Sequence, residues 1–164
     1  MSSSGTSGAD AFHQLLSQLD PPMVIVTAGG SGCLVGFSTQ VSIDPPRFLA
    51  CVSKANHTHE EAMRASVGAV HGLDDGERHL AEVFGELTGD AVDKLSLVEW
   101  REGPEGVAVL DRTAGWFAGR VLERVDLGDH TGIVLEPIAG ELRRPVVRQL
   151  GFQSVKELDP GHEP

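Results

Sequence analysis

A chain of 164 residues is long enough to bury one hydrophobic core, so we expect a single domain. Its apolar share of 40% and charged share of 23% are those of an ordinary globular protein, which argues against a disordered or fibrous chain. The formal net charge of -11 at pH 7 would repel a phosphate backbone, and we therefore expect no nucleic-acid partner.

The chain is expected to have three parts. Residues 1–10 are rich in Ser and Gly and predict a flexible arm, residues 11–158 a single domain, and residues 159–164 a polar tail. No apolar run near the start is long enough for a signal peptide or a membrane span, which predicts a cytoplasmic protein with no membrane partner. Cys33 and Cys51 do not form a C-x-x-C pair, and we expect both to pack as small hydrophobic residues.

The domain is predicted to begin with a short amphipathic helix that ends before Pro21 and Pro22. Its apolar residues recur at spacings of three and four: Ala11, Phe12, Leu15, Leu16 and Leu19. Two apolar runs, residues 23–28 and 33–37, flank a Gly-rich turn and predict a β-hairpin. A helix followed by two paired strands is therefore expected.

The rest of the chain mixes strands with short helices. After a Pro turn, residues 47–53 predict a buried strand, and residues 56–66 predict a helix with Thr58 as its N-cap and Glu61 three residues later. The later segments are a strand at 67–73, a helix at 77–87, an irregular or partly helical stretch at 92–99, and strands at 107–110, 114–126 and 130–140. About six or seven strands without βαβ alternation favour a mainly β protein, a closed or split antiparallel barrel rather than a Rossmann sheet.

Residues 36–46 form a polar stretch at the end of a predicted strand. They contain small and hydroxyl side chains followed by a rigid turn with two prolines. Backbone N–H groups and hydroxyls exposed there would suit hydrogen bonds to a flat heterocycle and its polar tail. An ordinary Ser/Thr-rich strand leading into a turn gives the same pattern, so the composition of this stretch leaves both interpretations open.

Four segments occur in an order and at spacings that a known family shares. The first two are residues 36–46 and residues 51–58, the second of which reads CVSKANHT. The third segment contains Phe84, Gly85, Thr88, Gly89, Asp90, Val92, Asp93, Lys94, Leu95 and, further on, Trp100. The fourth consists of Gly128, Asp129, His130 and Thr131. Together they resemble the flavin reductase family over residues 11–142.

The resemblance implies a fold, a reaction and partners. The expected fold is an FMN-binding split β-barrel with a few short helices, forming a homodimer in which the second subunit partly closes the flavin groove. FMN or FAD would be held non-covalently, and NADH or NADPH would reduce it as cosubstrate. The reduced flavin would then serve a flavin-dependent monooxygenase or another acceptor. No G-x-G-x-x-G loop is present, so the sequence does not choose between the two nicotinamides.

The resemblance also assigns site residues. One group is expected near the flavin phosphate or ribityl chain: Ser42, Lys54, Asn56 and Thr58. There Lys54 would supply a point charge, and free N–H groups at a helix start, from Thr58 and its neighbours, would bind the anion. His130 is the expected catalytic residue beside the nicotinamide. The remaining expected cofactor contacts are Leu34, Val35, Gly36, Phe37, Phe84, Gly85 and Asp129.

The sequence departs from the family pattern at residues 34–37, where many members carry Thr, Ala, Asn or Ser. We therefore expect main-chain contacts from Val35, Gly36 and Phe37 to the isoalloxazine ring. Taken without the resemblance, Lys54 would be interpreted as a solvated surface lysine and His130 as a structural residue of a turn.

Parts of the sequence also resemble what three other classes of function require. His57 and His59 suggest a cupin-type metal site, but the following carboxylate position is occupied by Met63 or Arg64, so we expect no metal. A non-catalytic flavin-binding or sensor protein remains an alternative, because a fold does not fix a function. A third possibility is an enzyme that retains its FMN and reduces an organic substrate.

Overall fold

The computed structural model describes residues 7–86 and 93–158. Several predicted features lie outside the described residues: the tail at 159–164, the first six residues of the arm, and Thr88, Gly89, Asp90 and Val92 of the third family-like segment.

Three α-helices are described: α1 (Gly8–Leu16), α2 (Thr58–Arg64) and α3 (Arg78–Glu86). The described strands are β1 (Val24–Ala28), β2 (Ser31–Val35), β3 (Ser38–Ser42), β4 (Arg47–Ser53), β5 (Val67–Gly72), β6 (Trp100–Glu102), β7 (Ala108–Leu110), β8 (Gly115–Asp126) and β9 (His130–Leu142).

The protein is mainly β, as the sequence predicted. Seven of the described strands form one antiparallel sheet in the order β2-β1-β5-β8-β9-β4-β3, and β6 pairs with β7 in a small second sheet. One of these strands, β6, was not predicted, and β3 was indicated only by one of the two interpretations of residues 36–46. β3 is a polar, largely exposed edge strand and β6 has three exposed residues, so neither carries the apolar alternation that marks a strand in a sequence.

The large sheet is strongly curved. Cys33 on β2 and Val52 on β4 pack in the same buried cluster with Val26 and Ile133, although β2 and β4 lie near opposite ends of the strand order. A second buried cluster joins α3 to β1 and β7 on the other side of the sheet. The two ends of the sheet therefore approach each other around a shared core.

Polar contacts in the core attach β7 to the main sheet. The ring of His71, on β5, is fully buried and its Nδ1 lies 3.0 Å from the carbonyl oxygen of Ile25. Its Nε2 accepts the N–H of Leu110 at 3.0 Å. The accepting Nε2 must be unprotonated, so the proton lies on Nδ1 and is donated to Ile25. Thr27 adds a hydroxyl bond to the carbonyl oxygen of Ala108 at 2.6 Å.

Capping explains where the helices differ from the predictions. α1 begins at Gly8, three residues before the predicted apolar repeat, because the hydroxyl of Ser7 accepts the N–H of Asp10 at 3.1 Å. α2 begins at Thr58, which is not its N-cap; the prediction was wrong because Asn56 Oδ1 accepts the N–H of Thr58 at 2.9 Å. An asparagine bonding two residues ahead replaces the hydroxyl cap that the pattern indicated.

The β8–β9 hairpin is the longest paired element described, and its turn carries the fourth family-like segment. Gly128 has a φ of 125°, a conformation that glycine adopts readily and other residues rarely do. The turn is held by a bond from the N–H of Leu127 to the carbonyl oxygen of His130 at 3.0 Å. Asp129 and His130 are thereby fixed at the tip of the hairpin.

Among the described residues, no helix has both the length and the apolar character needed to cross a membrane.

Candidate functional site

Three segments that are distant in sequence meet at one end of β4. Ser53 pairs with His130 across the β4–β9 ladder, and the N–H of Lys54 donates to the carbonyl oxygen of Asp129 at 2.9 Å. Three residues before Lys54, the N–H of Cys51 donates to the carbonyl oxygen of Phe37 at 2.9 Å. We call Phe37, residues 53–58 and residues 126–131 the β4–β9 corner.

His130 is oriented by two neighbours in this corner. Its Nδ1 lies 2.7 Å from Asp129 Oδ1, and its ring centroid is 4.6 Å from that of Phe37, with the rings tilted by 38°. The bond from His130 holds the pKa of the Asp129 carboxyl below its usual value. Because an ionised carboxylate only accepts hydrogen bonds, Nδ1 carries the proton and Nε2 is an acceptor in the neutral ring. A hydrogen-bond donor of a ligand could therefore bind at Nε2.

Lys54 is paired with a carboxylate that the sequence analysis did not identify. Its Nζ lies 2.7 Å from Asp126 Oδ1, and the same oxygen accepts the N–H of Gly128 at 3.1 Å. The bond from Lys54 lowers the pKa of Asp126, so this carboxylate is ionised at neutral pH. The D-x-G pattern at 126–128 predicts an Asx turn, but no sequence signal joins Asp126 to a lysine 72 positions earlier.

The start of α2 differs from the expected anion site. The N–H of Thr58 is taken by Asn56 Oδ1, and the N–H of His59 donates to the carbonyl oxygen of Asn56 at 3.0 Å. Thr58 is itself buried, and its hydroxyl lies 2.7 Å from that of Ser31. The expectation that Thr58 offers a free N–H was therefore wrong, because Asn56 caps this turn.

His59 is a second residue that the sequence analysis did not assign to the site. Its Nε2 lies 2.8 Å from the hydroxyl of Thr131, the residue after His130. Burial lowers the pKa of His59, and the positive charge of Lys54 lowers it further. A neutral His59 thus connects α2 to β9 directly behind the corner.

The expected flavin contacts at residues 34–36, in and just after β2, face in different directions. The side chain of Val35 is buried in the core, and Leu34 packs toward Gly85, where an added Cβ would lie 2.8 Å from Leu34 Cδ2. An added Cβ on Gly36 would lie 3.2 Å from the sulfur of Met23. Because β2 is an edge strand, a contact from Val35 through its main chain is compatible with this arrangement.

Three expected cofactor contacts lie away from the corner: Phe84, Gly85 and Ser42. Phe84 is 1% exposed and packs in the core, so a contact from its ring would require the ring to leave that core. Lys94, from the same family-like segment, is also buried and donates from Nζ to the carbonyl oxygen of Phe84 at 2.9 Å. Ser42 pairs with Arg47 at the far end of β4. The length of β4, about 20 Å, separates Ser42 from Lys54.

The corner fits a ligand that joins a flat ring to an anionic group. The Phe37 ring is 60% exposed and lies against His130, which provides an aromatic surface. Lys54 provides a cation on the adjacent loop. Within residues 7–86 and 93–158, no three His, Cys, Asp or Glu side chains are grouped closely enough to hold a metal ion.

Comparisons with known proteins identify relatives of the chain. A family model described as a flavin reductase like domain matches residues 16–156. The FMN reductase (NADH) SmoA of Agrobacterium fabrum (strain C58) is 32% identical over 136 residues, which cover 80% of this chain and 76% of that protein. A probable flavin reductase of Rhizobium meliloti (strain 1021) is 27% identical over 115 residues, 68% of this chain and 36% of the relative.

A solved structure has the same fold. The NADH:FAD oxidoreductase SgcE6 of Streptomyces globisporus C-1027 superposes with a TM-score of 0.76 at 25% identity, covering 92% of this chain and 91% of that one. The chain spans about half the length of several curated relatives, from 36% to 61%. Because the family match includes every strand of the large sheet and the whole β4–β9 corner, the chain belongs to the flavin reductase like domain family.

Proposed function

We propose that the protein is a flavin reductase that uses NADH or NADPH to reduce exchangeable FMN or FAD. The observation that carries this proposal is the β4–β9 corner, where an exposed aromatic surface, an oriented histidine and a lysine lie side by side. The relatives named FMN reductase (NADH) SmoA and NADH:FAD oxidoreductase SgcE6 support it, and SgcE6 has also been solved in complex with NAD and FAD fragments.

The corner residues have separable roles in this proposal. Lys54 holds the flavin phosphate, with Asn56 shaping the loop that presents it. The main chain of residues 34–37 and the hairpin tip at Asp129 border the isoalloxazine ring. His130 accepts a hydrogen bond at Nε2 from the nicotinamide carboxamide. The flavin supplies the hydride-accepting chemistry, so the protein needs only to position two rings and exclude water between them.

We further propose a homodimer of FMN-binding split barrels. The apolar face of α1 supports a second copy as its partner, since Phe12, Leu15 and Leu16 are each exposed and α1 buries no residue in the protomer. Contiguous exposed apolar side chains are typical of an interface. The curved sheet supports the barrel, because its two ends share one core. The second copy would partly close the flavin groove.

The proposed product is reduced flavin, which would leave to serve a flavin-dependent monooxygenase. We place this reaction in the cytoplasm, where Cys33 and Cys51 would remain the free thiols that they are in the structure.

Nicotinamide consumption with added flavin tests the proposal. Purified protein is mixed anaerobically with NADH or NADPH and an excess of FMN or FAD, and the absorbance of the reduced nicotinamide is followed. A rapid, flavin-dependent decrease is expected and ranks both cosubstrates. If the protein quenches flavin fluorescence yet consumes no nicotinamide, it is a binding or sensor module instead.

A further inference from the structure

We propose that Asp126 competes with the flavin phosphate for Lys54 and thereby keeps the flavin exchangeable. This inference rests on the proposed function, because it concerns the affinity of the same site. Asp126 would be a positioning residue: it acts through Lys54 and needs no contact with the flavin.

The pair is built into the two loops of the β4–β9 corner. Lys54 follows β4 and Asp126 ends β8, and the Nζ–Oδ1 distance is 2.7 Å. Both partners are attached to the turn at 126–130: the main-chain N–H of Lys54 donates to the carbonyl oxygen of Asp129, and Asp126 Oδ1 accepts the N–H of Gly128. The fold of the hairpin turn therefore places the two charged side chains next to each other.

The carboxylate opposes an anionic ligand in two ways. A phosphate that approaches Lys54 must share an ammonium group already bonded to Asp126, and it meets the negative charge of that carboxylate at the same time. Both side chains reach solvent, with 40% of Lys54 and 76% of Asp126 exposed, so the pair can reorganise when a ligand arrives. A flavin without a phosphate would meet neither effect.

The main test compares FMN with riboflavin in the Asp126→Asn variant. Asparagine keeps an Oδ1 acceptor for the N–H of Gly128, so the turn retains its hydrogen bond, while the charge at Lys54 is removed. Dissociation constants are measured by quenching of flavin fluorescence. We expect FMN to bind about three- to tenfold more tightly. The variant removes an exposed ion pair that competes for Lys54 and a like-charge repulsion of the phosphate. Riboflavin affinity should be unchanged.

Two further variants make the result specific. Glu123→Gln removes the same unit of charge from an exposed position on β8 and should leave both affinities as in the unmodified protein. In the Lys54→Ala background, Asp126→Asn should tighten FMN binding much less, because the competition for the shared partner is gone and only the like-charge repulsion of the phosphate remains. Circular dichroism spectra and thermal unfolding midpoints confirm that each variant is folded.

The outcomes separate this inference from the proposed function. If the unmodified protein reduces flavin but Asp126→Asn leaves FMN affinity unchanged, or tightens FMN and riboflavin equally, the competition by Asp126 is refuted and the reductase remains. If the unmodified protein neither binds FMN nor consumes nicotinamide, the proposed function fails first. Slower release of FMN from Asp126→Asn, measured by stopped-flow displacement, would support the competition directly.

Discussion

His130 illustrates what the structure adds at the scale of a residue. The sequence assigns it to the site only through a four-residue resemblance, whereas the structure places its ring against Phe37 and its Nδ1 beside the Asp129 carboxylate, which makes Nε2 the acceptor of the neutral ring. The bond to Asp129 and the ring of Phe37 determine the orientation of the imidazole. The acceptor at Nε2 is therefore already oriented before a ligand with a hydrogen-bond donor binds.

Replacing His130 with alanine should reduce kcat/KM for the nicotinamide about tenfold, the effect of losing one hydrogen bond worth about 1.4 kcal/mol. Flavin affinity should change little, because Lys54 and the main chain of residues 34–37 are untouched. Steady-state kinetics and fluorescence quenching measure the two quantities. His79→Ala, on the exposed surface of α3, is the matched control. Unaltered kinetics in His130→Ala would remove this residue from the site.

His71 makes the stability of the fold depend on pH. Burial lowers its pKa from 6.5 to about 4, with Arg143 lowering it and the bond to Ile25 opposing the shift. The unfolded chain therefore binds the proton more readily than the folded protein. The stabilisation is complete above pH 6.5 and is lost as the pH falls toward 4. The total loss is roughly 3 kcal/mol.

Urea unfolding at about pH 7 and about pH 4 measures this dependence. The unmodified protein should lose roughly 3 kcal/mol more unfolding free energy between these conditions than His71→Gln, whose amide does not titrate. The variant also serves as the control for the carboxylates that titrate in the same range. Equal losses in both proteins would mean that His71 does not carry this dependence.

Residue roles were predictable only where a local pattern encodes them. Lys54 and His130 stand in short family-like segments, so the resemblance identified them. Asp126 and His59 act through partners 72 positions away in the chain, and no local pattern encodes such a pairing. The bonds of His71 were equally hidden, because a histidine in an apolar strand has the same sequence signature whether or not both nitrogens are bonded.

Element predictions succeeded where hydrophobic patterning is strong. The strands β1, β4 and β5 were predicted within one or two residues, because apolar runs bounded by turns mark them clearly, although β4 is less buried than predicted. The exposed strand β6 was missed, the exposed strand β3 was indicated only as one of two interpretations, and α2 begins two residues later than predicted, after the turn that Asn56 caps. These errors share one cause: polar segments take their structure from tertiary pairing and local side-chain bonds, which periodicity does not record.

The helix α1 carries a prediction at the scale of an element. The double change Phe12→Glu and Leu16→Glu places charges on its apolar face, and it should convert a dimer into monomers with little change in the unfolding midpoint of the protomer. Analytical ultracentrifugation measures the association. Gln14→Glu adds charge to the same helix and should leave the dimer intact. A dimer that persists in the double variant would show that the second copy binds elsewhere.

At the scale of the whole molecule, the strand order of the large sheet produces the site. The consecutive strands β3 and β4 and the β8–β9 hairpin come from two separate parts of the chain, and the order β9-β4-β3 brings Phe37, Lys54 and His130 together at one end of β4. The strand pattern and the resemblance predicted a mainly β fold of the flavin reductase type. The register that joins the three segments could not be predicted, because it depends on pairings between distant strands.

The most direct test follows the flavin itself through one anaerobic turnover. Protein, oxidised FMN and an equimolar amount of NADH or NADPH are mixed in a stopped-flow instrument while the visible flavin band is recorded, and the mixture is then passed through an ultrafilter. The account predicts rapid bleaching of the flavin, one flavin reduced for each nicotinamide consumed, and reduced flavin in the filtrate. Flavin that binds but stays oxidised, or reduced flavin that remains entirely with the protein, would contradict a reductase that supplies exchangeable flavin.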